Sequence, residues 1–229
     1  MDINKIYNGN CFELFKQMKE NEVDYVFTSP PYNRKRNDKY TFYNDQLTDY
    51  YGFLKNLIEE SKRVAKKYVF LNIQTNYYNM ADVYSLIGTY KDKIKQIIIW
   101  EKSNPMPANG FNITNSYEFF IVIGEEPLKS NKTYTKNIIT TPVNSKMPKE
   151  HKAVMHPAVA DWFITMFTKE NETILDPCAG TGTTAVACIK NNRNFICFEI
   201  VKEYCDIANK NILNIEPQLS NEVFFRGAI

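Results

Sequence analysis

The chain has 229 residues, with 28 Lys and Arg against 26 Asp and Glu, a formal net charge of +2, 44% apolar residues and 14% aromatic ones. That length is one large domain or two small ones, and the composition excludes a disordered tail, a collagen-like repeat and, on charge alone, a polybasic nucleic-acid arm. No run of about 18 apolar residues is present, and Met1-Asp2-Ile3-Asn4-Lys5 lacks the layout of a secretory signal, so a cytoplasmic protein with no membrane partner is expected. Cys11, Cys178, Cys188, Cys197 and Cys205 form no C-x-x-C pair and are joined only by His151 and His156, so no metal site is expected and the thiols read as free.

Along the chain, Val23 to Thr28 is the first readable strand, β-branched and aromatic, stopped by Pro30-Pro31. Leu47, Tyr51, Leu54, Ile58 and Ala65 recur at steps of three, four and seven, on one helical face, and predict a helix. Tyr68 to Ile73 reads as a buried strand, 76–88 as a second helix, and Ile94 to Trp100 and Phe119 to Ile123 as further strands. A helix over about 157–169 carries Trp162, Phe163, Met166 and Phe167. Then come a strand at Thr173 to Asp176, a Gly/Thr turn, a helix over 183–191, a strand at Phe195 to Glu199 and a last helix from about 202 to 213. Near-continuous apolar strands alternating with helices predict an α/β fold: a Rossmann-like, doubly wound, mostly parallel sheet covered on both faces, with its ligand site beyond the carboxyl ends of the strands.

Two of those strand ends carry chemistry. In Asp176-Pro177-Cys178-Ala179-Gly180-Thr181-Gly182-Thr183-Thr184, Gly180 and Gly182 allow a sharp turn that brings backbone close to a ligand, and the next helix offers free N–H groups. Glu199 ends the following strand, where an acid accepts hydrogen bonds from ribose hydroxyls, so an adenosine-type cofactor is expected. No Gly-Lys-Ser/Thr follows, which disfavours a nucleoside triphosphate. The other strand end is Ser29-Pro30-Pro31-Tyr32, a tetrapeptide expected by chance in roughly one chain in a thousand of this length. Its prolines stiffen the turn so that the Ser29 oxygen and the peptide carbonyls face the cleft beside the flat face of Tyr32. A rigid row of acceptors next to an aromatic plate suits a planar heteroaromatic amine, whose ring stacks while its NH₂ donates.

Ser-Pro-Pro-Tyr together with Asp-Pro-x-x-Gly-x-Gly-Thr-Thr resembles the amino-methylating DNA methyltransferases, and the catalytic motif preceding the cofactor motif resembles their β-class, a circularly permuted order. The resemblance runs from about Ile6-Tyr7-Asn8-Gly9-Asn10 to the last helix and includes Ile99 to Pro107, Tyr117-Glu118 and His156-Pro157-Ala158. It implies one methyltransferase domain over 1–229, with a short basic target-recognition and linker segment at 127–155. The implied cofactor is S-adenosylmethionine, held by Asn10, His156, Asp176, Cys178, Gly180, Gly182, Thr183 and Glu199. The implied substrate is an exocyclic amine of duplex DNA, flipped into the cleft and methylated at Ser29, Pro30, Pro31 and Tyr32 without a covalent enzyme intermediate. Ser29 and the Pro30 carbonyl would take the amine hydrogens, freeing the nitrogen lone pair, while Tyr32 stacks on the ring. Cys178 departs from the family's usual Phe, and Asn10 from its common Asp. A Ser at the first position and a His-Pro-Ala segment are commoner in cytosine N(4) enzymes than in adenine N(6) enzymes, so N(4)-cytosine is the expected target. N(6)-adenine is the alternative, and an RNA amine, a protein amide or a non-catalytic binding subunit stand behind it.

Two stretches break the charge balance: 34–39, with Arg34, Lys35, Arg36 and Lys39, and 129–152, with Lys129, Lys132, Lys136, Lys146, Lys149 and Lys152. Beside a base-modifying cleft both are expected to contact DNA phosphates. The recognition stretch is short, so a homodimer or a helper subunit is compatible with it, as is a restriction-modification setting.

Overall fold

The computed structural model describes residues 1–34, 43, 45–108, 113–143 and 154–215. Eight strands form one sheet: β1 (Lys5–Asn8), β2 (Val23–Thr28), β3 (Ala65–Ile73), β4 (Ile94–Lys102), β5 (Tyr117–Gly124), β6 (Ile138–Thr141), β7 (Thr173–Asp176) and β8 (Asn194–Glu199). Their order is β1-β8-β7-β2-β3-β5-β4-β6. Every neighbouring pair is parallel except the two involving β5, which therefore runs against the rest of the sheet. The helices are α1 (Cys11–Phe15), α2 (Tyr50–Val64), α3 (Met80–Thr89), α4 (Pro157–Phe167), α5 (Thr183–Lys190) and α6 (Lys202–Leu213).

Strand residues alternate between two apolar cores, as the pleat requires. Val26, Val69, Leu71, Ile121, Leu175 and Ile196 face α1, α2 and α3, which supply Phe15, Leu54, Ile58 and Val83. Tyr25, Phe27, Phe70, Phe120, Ile174 and Phe195 face the other way, against Phe163 and Phe167 of α4 and Ala185 and Cys188 of α5. The doubly wound, mostly parallel sheet expected from the sequence is the fold observed.

Local chemistry sets the helix starts. Asn10 caps α1 through Phe12 N at 2.9 Å, and Asp49 caps α2 through Gly52 N at 2.8 Å. His156 caps α4 through Ala158 N, with Pro157 in the first turn, where its missing N–H costs nothing. Three short elements escaped the periodicity reading: β1, α1 and β6. Both short strands lie at sheet edges and are only partly buried, so they lack the apolar runs that mark the central strands. The reversal of β5 has the larger consequence. β4 ends and β5 begins at the carboxyl ends of the parallel strands, while 125–137 is carried to their amino ends.

Candidate active site

β2 and β7 are adjacent, so the two chemistry-bearing turns meet at the carboxyl edge of the sheet. Thr28 Oγ1 donates to Asp176 Oδ1 at 2.9 Å and ties one turn to the other. Asp176 also accepts from Thr184 Oγ1 at 2.5 Å and Cys178 N at 3.1 Å. Burial pushes its carboxyl up to about 6, with those three hydrogen bonds pulling the other way.

The Gly-rich turn is built on left-handed backbone, with φ of +52° at Gly180 and +82° at Gly182. Gly180 N donates to Glu199 Oε2 at 2.7 Å and Val201 N to Glu199 Oε1 at 2.9 Å. Burial raises the Glu199 carboxyl above its ordinary range. Each of its oxygens retains a lone pair, which fits the donor pattern of a ribose diol. Asn10 stands beside it, because Gly9 N donates to Glu199 O at 2.9 Å. Cys178 hydrogen-bonds the thiol of Cys11; that bond and burial hold Cys178 well above the usual thiol range. A cavity of about 70 Å³ borders this turn, lined by Asp176, Cys178, Gly180 and Thr183 among others. Of the expected cofactor residues, Asp176, Cys178, Gly180, Gly182, Thr183, Glu199 and Asn10 gather at this end of β1, β7 and β8. His156 follows directly on Val154 and Met155, which also line the cavity.

The Ser29–Tyr32 turn is held from outside. Tyr50 Oη donates to Pro31 O, and Asn76 Nδ2 and Asn79 Nδ2 to Tyr32 O, all at 2.8 Å. The expectation that the turn's carbonyls face the cleft is thus corrected for Pro31 and Tyr32, whose oxygens are consumed in bracing the turn. Asn33 follows in left-handed backbone at φ +50°, with its N–H on Asp45 Oδ1 at 2.7 Å. Ser29 Oγ lies 2.7 Å from Tyr32 Oη, and Tyr32 Oη lies 2.8 Å from Glu118 Oε2. Asn72 Nδ2 reaches Ser29 Oγ at 3.3 Å and both Tyr32 Oη and Glu118 Oε2 at 2.9 Å. Lys102 Nζ pairs with Glu118 Oε1 at 2.5 Å. Burial, then the charge of Glu118, drives the Tyr32 phenol well above its ordinary range.

This cluster forms the floor of a second cavity of about 370 Å³, walled by Trp100, Met106, Ile113 and Val143. Ser29, Val154 and Met155 border both cavities, so the two adjoin at these residues. Asn72, Trp100, Lys102 and Glu118 were not among the expected site residues. The signals available for two of them were a lone Asn inside the apolar run Val69 to Ile73 and an acid heading the apolar run of β5.

The basic residues divide. Arg34 lines the larger cavity, its guanidinium 5.4 Å from the Tyr32 ring centroid and hydrogen-bonded to Gln74 Oε1. Lys129, Lys132 and Lys136 are exposed but stand at the amino ends of the parallel strands. There Asn131 N donates to Met166 O, at the end of α4, and Tyr68 Oη to Pro127 O, at the start of β3. Their expected place beside the cleft is corrected: the antiparallel β5 takes them to the opposite edge. Lys35, Arg36, Lys39, Lys146, Lys149 and Lys152 lie outside the described residues. Among the described residues no group of His, Cys, Asp and Glu is arranged to hold a metal ion, and no helix is long and apolar enough to cross a membrane.

Comparison with known proteins identifies the family. The family model N6_N4_Mtase, described as DNA methylase, matches residues 23–210. The Type II methyltransferase M2.MboI of Moraxella bovis is 25% identical over 249 residues, covering 95% of this chain and 90% of that protein. M.HinfI of Haemophilus influenzae is 24% identical over 253 residues, covering 94% and 70%. Among solved structures, PvuII DNA methyltransferase (cytosine-N4-specific) shares the fold with a TM-score of 0.76 at 16% identity, over 90% of this chain and 85% of that one. The M1.HpyAVI–SAM complex aligns with a TM-score of 0.64 at 24% identity, over 90% and 98%.

Proposed function

The chain belongs to the DNA methylase family of amino-methylating enzymes, and from that premise we propose that it methylates the exocyclic N(4) amine of cytosine in duplex DNA, with S-adenosylmethionine as donor. The observation that carries this reading is the meeting of two cavities at Ser29, one beside the Gly180–Gly182 turn and one over Tyr32 and Trp100. When bound, S-adenosylmethionine supplies a methyl group on a positively charged sulfur. Asp176, Glu199 and the Gly-rich turn are the residues that would hold it, since two acids and exposed backbone suit a diol and a cationic tail. The larger cavity would take the base, which must leave the duplex to reach it. Ser29 then sits beside the reacting nitrogen, and alignment in the joined cavities supplies much of the rate.

The choice of cytosine rests on Ser29 at the first position of the motif and on His156-Pro157-Ala158. Mass spectrometry of nucleosides from DNA methylated in vitro tests it. N(4)-methylcytosine is the expected product; N(6)-methyladenine would reassign the base on the same scaffold, and methyl transfer only to RNA or protein would reject DNA as substrate. Ser29→Ala and Tyr32→Ala are expected to lower methyl transfer at least 100-fold, roughly the loss of one oriented polar group at a reacting centre, while calorimetry still detects cofactor binding. Wild-type turnover in either variant would remove that residue from the proposed site.

A further inference from the structure

Ser29, Tyr32, Asn72, Glu118 and Lys102 form one connected network of hydrogen bonds, and counting hydrogens gives the chain through them a direction. Lys102 has only donors to offer and takes Glu118 Oε1 at 2.5 Å. Glu118 Oε2 accepts from Tyr32 Oη at 2.8 Å and from Asn72 Nδ2 at 2.9 Å. The phenol owns a single hydrogen, which is committed to Glu118, so Ser29 is the donor in its 2.7 Å contact with Tyr32. Asn72 strengthens this arrangement: the two hydrogens of its NH₂ serve Tyr32 Oη and Glu118 Oε2, both at 2.9 Å, with Ser29 Oγ farther off at 3.3 Å, and its buried Oδ1 has no partner among the described residues. Ser29, which borders both cavities, has given its hydrogen inward and keeps an acceptor to offer.

We propose that Glu118 is the terminal proton acceptor of methyl transfer, reached from the target amine through Ser29 and Tyr32. The inference rests on the functional reading above and adds to it a residue and a route for the proton. As the amine nitrogen bonds to the methyl carbon, the carbon–sulfur bond breaks and its electron pair stays on sulfur. The nitrogen now carries a positive charge; the electrons of one N–H bond return to it and the proton passes to Ser29 Oγ. Ser29's own proton moves to Tyr32 Oη, and the phenol's proton moves to Glu118 Oε2. Serine and tyrosine end neutral, the carboxylate ends as the acid, and Lys102 keeps its charge. Glu118 acts on the amine through two other side chains, so its role is to fix the direction of the chain and to take the proton at its far end.

Glu118→Gln tests the proposal because it keeps the shape and reverses the direction. Lys102 can only donate, so the new amide must turn its oxygen to Lys102 and its NH₂ to Tyr32. Tyr32 then accepts, gives its hydrogen to Ser29, and Ser29 presents a hydrogen to the amine in place of a lone pair. The single-turnover rate on duplex DNA is expected to fall about 100-fold or more, the scale of a lost acid–base group. KM for DNA and the calorimetric Kd for S-adenosylmethionine stay within about twofold, as for a group that acts on the chemical step and not on binding. Tyr32→Phe, which keeps the ring and removes the relay, is expected to match it, and formate is expected to restore part of the rate of Glu118→Ala without affecting the wild type. A wild-type rate in Glu118→Gln or Tyr32→Phe overturns the proposal, as does a loss confined to KM and Kd. If Glu118→Gln no longer binds the cofactor, Tyr32→Phe decides alone. A wild-type protein that methylates neither base overturns the functional reading, and the relay with it.

Discussion

Asp176 is buried at 4% exposure, with hydrogen bonds from Thr28, Thr184 and Cys178. Those bonds do not cancel the cost of removing its charge from water, and its carboxyl stands at about 6 against an ordinary 3.8. The folded chain therefore binds this proton more tightly than the unfolded chain does. The contribution to stability is complete below about pH 4, is lost as pH rises through about 6, and amounts to about 3 kcal/mol over that window. Asp176→Asn cannot titrate there, so the wild-type stability minus that of the variant, from urea unfolding, is expected to fall by this amount between about pH 3 and pH 7. A flat difference would show that the carboxyl is ionised throughout. Asp176 and Glu199 were legible in the sequence, because each closes a strand just before a break in the pattern. Asn72 and Glu118 left only faint marks, an Asn inside one apolar run and an acid heading another, since what brings them together is the pairing of β3 with β5, which sets Asn72 opposite Phe120. Spacing along the chain carries no trace of that antiparallel register.

At the scale of elements, the turn between β7 and α5 is fixed as much by packing as by backbone freedom. Gly182 holds φ at +82°, and a Cβ added there would come within 2.8 Å of Ala208 Cβ on α6. Gly182→Ala thus meets two separate costs: about 1–2 kcal/mol for a side chain in left-handed backbone and about 1–3 kcal/mol for overpacking. The urea midpoint is expected to drop accordingly, and adding Ala208→Gly should recover the packing share alone; full recovery would mean that the backbone conformation is not the constraint. The central strands and the long helices could be read from the sequence because burial on both sheet faces demands apolar runs, and amphipathic helices demand a repeat near 3.6 residues. A strand's direction leaves no such mark. Nothing in Tyr117 to Gly124 distinguishes a strand that runs with its neighbours from one that runs against them, and the site's polar floor depends on that choice.

For the whole molecule, the consequence of β5 concerns charge. A net charge of +2 conceals basic stretches at 34–39 and 129–152 that, taken along the sequence, make one positive edge beside the cleft. Among the described residues the fold separates the two. Arg34 is inside the larger cavity, whereas Lys129, Lys132 and Lys136 lie at the amino ends of the strands, beside the end of α4, with the full height of the sheet between them and Ser29. A duplex that delivers a base to the larger cavity meets the carboxyl edge, and at physiological ionic strength the screening length is only about 8 Å, so charges on the far edge contribute little to holding it. Each lysine that neutralises a phosphate steepens the dependence of log K on log salt by about 0.9. Replacing Lys129, Lys132 and Lys136 together by Gln is therefore expected to leave that slope unchanged in a salt titration of duplex binding. A slope reduced by about 2.7, the value for three lost phosphate contacts, would place DNA across both edges of the sheet and require a wrapped or two-site complex. The unchanged slope would assign DNA binding to the carboxyl edge alone, where the two cavities open.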